Sequence, residues 1–191
     1  MLSLNRSDGR PADDVETYIF ENGGVTILAL LRDHDHASAG PGNALPGDDA
    51  IDHKLPHSYE AYDVTSRRAV GLTSRLTLAL GPVEPIVLAL SEQPPPGLSI
   101  SGPPSIHAGE NADFRISPNG KASVARDIIH IEIADPDGNV VPYYSGNRLA
   151  TAGATLYWLP LAMNDKAGIW TIRARDLLTG GATLARLQVE P

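Results

Sequence analysis

Between residues 34 and 57 the chain gathers His34, Asp35, His36, Asp48, Asp49, Asp52, His53 and His57. Imidazole nitrogen and carboxylate oxygen together suit Zn, Ni, Cu or Mn, the choice depending on geometry. In an extended segment alternate side chains share a side, so His34 and His36 project together. His53 and His57 can then close a site across the loop. This makes His34, His36, Asp49, His53 and His57 the candidate ligands of a divalent metal. The competing reading needs no cofactor: a Gly- and Pro-rich surface segment carries His and Asp for solubility. No established ligand spacing such as His-Glu-x-x-His occurs.

A second chemistry is sugar stacking, for which Tyr143, Tyr144 and Trp158 are the candidates. In a strand Tyr157 and Trp158 point to opposite faces, so only one of them joins a flat platform. Trp170 alternates with Thr171 and Arg173 and is expected in a core, where sandwiches commonly bury a Trp. Asp135-Pro136-Asp137-Gly138 starts like a calcium loop. The twelfth position holds Gly146 in place of the glutamate, which excludes an EF-hand and leaves a hairpin turn. Gly97-Leu98-Ser99-Ile100-Ser101-Gly102 lacks the final glycine of a nucleophile elbow and the helix that follows one. P-loop and dinucleotide fingerprints are missing. Cysteine is absent, which removes disulfides, thiolate sites and cysteine nucleophiles. These patterns assign no catalytic residue, and the expectation is a chain that is not an enzyme.

The elements that must carry these residues read as strands. Val15 to Phe20 and Val25 to Arg32 flank Glu21-Asn22-Gly23-Gly24, a strong hairpin signal. The second run is apolar on both faces, which predicts a central strand. Residues 33–57 read as a long polar loop, and a loop of that length is uncommon in a compact domain unless it has a function. Tyr59 to Val64, Ala69 to Leu80 and Ile86 to Leu90 follow. In the second half, strands are expected at Leu98 to Ser101, Ala112 to Ser117, Asp127 to Ala134, Val140 to Tyr144, Ala154 to Ala162, Ile169 to Asp176 and near Ala185 to Val189. The turn at Asp63 to Arg68 resembles the one at Asp176 to Gly181. No amphipathic helix is evident. Short strands with turn signals every 8–12 residues indicate an all-β chain. Pro94-Pro95-Pro96-Gly97 cannot join a sheet ladder and marks a linker. The predicted organisation is two tandem immunoglobulin-like β-sandwiches, residues 1–93 and 98–191, joined by a Pro-rich linker at 94–97.

Composition supports this reading. The 191 residues include 18 Gly and 16 Pro, and 42% are hydrophobic, enough for a core in each domain. The net charge of −8 disfavours nucleic acid, which needs a basic face. Residues 1–97 carry −7 and residues 98–191 only −1; in 33–63, Lys54 alone opposes seven acids. No apolar run reaches the roughly 18–20 residues of a membrane span, and the N-terminus lacks a signal-peptide core. A free-standing chain would be cytoplasmic, whereas part of a larger secreted protein would be extracytoplasmic.

Glu21-Asn22-Gly23, Leu30-Leu31-Arg32-Asp33, Tyr62-Asp63-Val64 and Gly71 together resemble the β-sandwich modules that follow the catalytic barrel of bacterial β-galactosidase-like glycoside hydrolases and related uncharacterised proteins. Ser66-Arg67 stands where those modules carry a Thr-Gly type turn. The second half resembles immunoglobulin-like or macroglobulin-like sandwiches through Asp135 to Gly138, Asn164 to Gly168, Trp170-Thr171 and Asp176 to Gly180. The resemblance implies a non-catalytic accessory or structural region whose partner is the catalytic domain of a parent or neighbouring protein. The alternatives are an independent carbohydrate- or protein-binding module, with polysaccharide as partner, and a metal-binding protein using the 33–57 loop.

Overall fold

The structure is a computed structural model and describes residues 4–6, 9–33, 50–81, 83–120, 125–151 and 153–191. The chain is all-β and divides into two compact units, Met1–Pro94 and Pro95–Pro191. The division falls within the proline triplet.

The first unit contains β1 (Asn5–Arg6), β2 (Val15–Asn22), β3 (Val25–Arg32), β4 (Ala50–Asp63), β5 (Arg68–Ala79) and β6 (Ile86–Ser91). All six belong to one sheet, ordered β1-β4-β6-β3-β2, with β5 also paired to β4. Strand β4 is long enough for β1 to pair at Ile51 and Asp52 and β6 from Glu60 to Asp63. A single sheet buries a face only by bending over itself. The β4–β5 ladder shifts register between Lys54 and Tyr59 and again between Ala61 and Tyr62, the kind of irregularity that bends a strand. The enclosed core joins Leu28 and Leu30 of β3 to Ile51 and Leu55 of β4, Leu76 of β5, and Leu88 and Leu90 of β6.

The 33–57 loop is corrected by this arrangement, because its last part is strand. Ile51, His53 and Leu55 are buried, while Asp52, Lys54 and Pro56 are more exposed. That alternation is the two-residue period of a half-buried strand. In the β2–β3 hairpin Asn22 pairs with Val25 around a two-residue Gly23-Gly24 loop, and Gly23 sits at φ 67°. The β4–β5 turn places Arg67 at φ 56°, a left-handed conformation uncommon for a residue with a Cβ.

The second unit contains β7 (Leu98–Ser101), β8 (Ser105–His107), β9 (Asn111–Pro118), β10 (Arg126–Ala134), β11 (Gly146–Thr151), β12 (Thr155–Pro160), β13 (Gly168–Asp176) and β14 (Ala182–Glu190). A five-stranded sheet, β11-β10-β13-β14-β8, and a three-stranded sheet, β12-β9-β7, enclose one core. Ile129, Ile131 and Ile133 of β10 and Trp170, Ile172 and Ala174 of β13 point inward from one sheet. Phe114 and Ile116 of β9 and Tyr157 and Leu159 of β12 answer from the other. This is an immunoglobulin-like sandwich.

The strand expected at Val140 to Tyr144 does not form. Val140 makes an isolated bridge to Ala134, and Pro142 to Tyr144 form a turn. Pro142 has no N–H to offer a ladder. The edge strand beside β10 is β11, whose polar Gly146-Asn147-Arg148 start carries no apolar alternation.

Candidate functional site

Of the five candidate metal ligands, His34, His36 and Asp49 lie outside the described residues. His53 and His57 both sit on β4 but do not converge. His53 faces the core at 7% exposure. His57 is exposed, stacks on Tyr59 with ring centroids 4.3 Å apart, and places Nε2 3.1 Å from Glu92 Oε1. One ring is buried, whereas the other lies on the exposed side against Tyr59 and Glu92. Asp52 is taken by the Arg75 guanidinium, which holds its carboxyl below the usual range. Among the described residues no three His, Asp or Glu side chains gather.

The Asp135 turn uses its carboxylate internally. Oδ1 accepts hydrogen bonds from the Asp137 and Asn139 N–H groups at 3.0 and 2.8 Å, and Lys166 pairs with Asp137.

The three aromatic candidates separate. Tyr144 is buried and holds the core's edge together. Its hydroxyl donates to Asp165 Oδ2 at 2.6 Å, and its carbonyl accepts from the Tyr157 hydroxyl. Its ring meets Trp170 edge-on at 6.1 Å. Burial, with Asp165 beside it, pushes the Tyr144 phenol up to about 12. A side chain so enclosed offers no stacking face. Tyr143 is exposed, lying at 64° to Tyr144, so it stands off the turn without a coplanar neighbour there.

Trp158 has a different setting. On β12, Tyr157 and Leu159 are buried, whereas Leu156 is 71% exposed and Trp158 57% exposed. Cross-strand pairing sets Leu156 opposite Arg115 and Trp158 opposite Asp113 on β9, and Arg115 is opposite Ser101 on β7. Pairs directly opposite lie about 5 Å apart, so these side chains form one continuous outer face. It combines two large apolar side chains with a carboxylate, a guanidinium and the Ser101 hydroxyl. Sequence alternation signalled Trp158; Leu156, Asp113 and Arg115 became visible only through the β9–β12 register.

No family model matches the chain, and no curated protein matches it. Three solved structures give distant likenesses. A Salmonella alpha-2-macroglobulin mutant aligns with 94% of this chain at 8% identity and TM-score 0.41. An Escherichia coli alpha-2-macroglobulin activated by porcine elastase aligns with 98% at 11% identity and TM-score 0.37. The native conformation of the E. coli protein aligns with 89% at 10% identity and TM-score 0.38. The chain spans 16%, 25% and 19% of those structures, respectively. Likeness at this level carries no functional argument. No helix among the described residues is long and apolar enough to cross a membrane.

Proposed function

We propose that the chain is a non-catalytic accessory region of a larger carbohydrate-active or related bacterial protein, and that it meets a neighbouring domain through the outer face of the three-stranded sheet. The observation behind this reading is the Leu156–Trp158 pair. Two large apolar side chains stand on one exposed strand face, while the residues between and beside them fill the core. Contiguous exposed apolar surface with a polar rim favours protein contact, and Trp is enriched where such contacts carry energy. Arg115 and Asp113 supply that rim.

Acrylamide quenching of Trp158 tests the proposal, with Trp158→Ala identifying its share of the signal. In the parent protein, or with a purified neighbouring domain added, Trp158 should become protected. Quenching identical to that of the isolated chain would overturn the docking role.

One observation favours a second reading. Trp158 lies beside Asp113 and Arg115, an aromatic face with hydrogen-bonding groups next to it, as sugar recognition requires. In that case a neutral polysaccharide should protect Trp158 in the isolated chain.

A further inference from the structure

The bent sheet of the first unit leaves a cavity of about 270 Å³ at one end of its concave face. Ile19 and Glu21 of β2, Leu28 of β3, Leu55 and Tyr59 of β4, and Leu90 of β6 line it. The register explains why the space is there. Among the described strands, β2 pairs with β3 alone, and β4 pairs with β5, β1 and β6. The two strands thus face each other across the opening without a ladder. Leu28, Leu55 and Leu90 form a buried floor. Ile19 is on the same face but 45% exposed, a branched apolar side chain at the mouth of the cavity.

Among the described residues that line the cavity, Glu21 is the one acid. Glu21 accepts a hydrogen bond from the Thr26 hydroxyl with both carboxylate oxygens at 3.1 Å. Burial, followed by the charges of Glu92 and Glu21, raises the Tyr59 phenol. Glu92 contacts His57. Among the described residues lining the cavity, the titratable groups are Glu21, His53 and Tyr59, with no Lys or Arg.

We propose that this cavity binds a small primary amine with an aromatic or branched aliphatic body, the body on Leu28, Leu55 and Leu90 and the ammonium on Glu21. An apolar pocket with a few convergent polar groups is the usual form of a small-molecule site. An engineered dry cavity of about 150 Å³ holds benzene, so 270 Å³ takes a six-membered ring with a short chain. A cation at the rim completes Glu21 where a neutral or anionic head does not.

The probe is 2-phenylethylamine, titrated into the full chain and read on the leucine methyl signals by NMR. 2-Phenylethanol and 3-phenylpropanoate have the same ring with a neutral and an anionic head. The amine should shift the Leu28, Leu55 and Leu90 methyls saturably below about 10 mM, a reasonable ceiling for a ligand of nine heavy atoms. The alcohol should bind at least about tenfold more weakly, and the propanoate should leave these signals unmoved. Glu21→Gln should reduce the amine to the level of the alcohol. Ile19→Trp, at a half-exposed site, should block the amine and the alcohol, and the methyl signals of Ile51, Leu76 and Leu88, first-unit core residues that do not line the cavity, report whether that variant is folded. No saturable shift with the amine, equal binding of all three probes, or unchanged amine binding in Ile19→Trp would each overturn the proposal. It stands independently of the docking face on the second unit.

Discussion

Asp127 and Asp176 put two carboxyl groups inside the second unit, at 3% and 6% exposure. Asp127 opens β10 and accepts the Ile128 N–H on Oδ1 at 2.6 Å. Asp176 ends β13, where its Oδ1 accepts the Leu178 and Thr179 N–H groups at 2.8 and 2.9 Å. Burial, with the Asp176 carboxyl near it, pushes the Asp127 carboxyl up to about 8. The unfolded chain releases that proton near the ordinary aspartate value of 3.8. Between these two values the folded form binds one proton more than the unfolded form, so stability falls as pH rises. It is fully present below pH 4, is lost progressively towards pH 8, and is flat above. The slope is about 1.4 kcal/mol per pH unit, or roughly 3 kcal/mol between pH 5 and pH 7. Among the described groups with displaced titration, Asp127 alone acts in this range. Asp14, Asp52 and Asp135 are lowered and act in acid, while the shifted Tyr, Lys and Arg groups act above pH 10. Asp127→Asn copies the neutral, protonated acid and removes the second charge near Asp176. The variant should lose the slope and gain roughly 2–4 kcal/mol at pH 7. Both tryptophans, Trp158 and Trp170, belong to the second unit, so urea melts followed by Trp fluorescence at pH 5, 6, 7 and 8 report that unit alone. A wild-type midpoint that is constant across this range, or a variant that keeps the slope, refutes the reasoning.

Two further outcomes concern the first unit. Asp14 bridges Arg6 and the buried Arg32, each at 2.6 Å, and Arg32 also donates to the Leu80 carbonyl. Burial works to raise the Asp14 carboxyl, but the backbone and the two arginines outweigh it and hold it below 3.8. Asp14→Asn leaves Arg32 buried without its carboxylate and should cost about 3 kcal/mol, measured by far-UV circular dichroism melts; a loss below 1 kcal/mol would show that Arg32 is compensated elsewhere. Arg67 holds a left-handed turn position at φ 56°, where the equivalent Asp176 turn has Gly180 at φ 74°. Both turns are fixed by an aspartate accepting the N–H three residues on, Asp63 from Ser66 and Asp176 from Thr179. Arg67→Gly should therefore stabilise the first unit by about 0.5–1 kcal/mol after the entropy cost of glycine, and slower hydrogen exchange across β4 and β5 would register it.

What was legible from residue order was whatever repeats along one strand. Ile129, Ile131 and Ile133, or Trp170, Ile172 and Ala174, state their own inward face, and Tyr157 and Trp158 state opposite ones. The start of β4 was not legible. Its inward set includes His53, and Asp52, Lys54 and Pro56 give the segment the composition of a loop. A buried imidazole breaks the pattern that alternation depends on. Neither was Asp127 legible as half of a pair, because its partner is 49 positions away and meets it only through the β10–β13 register.

Tyr144 shows where parity stops being informative. Adjacent tyrosines in a strand would face opposite ways, and the choice between them would follow from their neighbours. Tyr143 and Tyr144 stand in a turn, where no period operates. Their fates are set by single contacts: Asp165, twenty-one residues on, takes the Tyr144 hydroxyl, and the Tyr157 hydroxyl takes its carbonyl. A buried phenol without such partners carries a desolvation cost of about 1–3 kcal/mol, so Asp165 and Tyr157 decide which tyrosine can be inside. The same reasoning applies to the outer face. Trp158 is exposed because Tyr157 and Leu159 are the residues that β12 can bury against Phe114 and Ile116. Its availability to a partner is thus a consequence of core packing on the opposite side of the same strand.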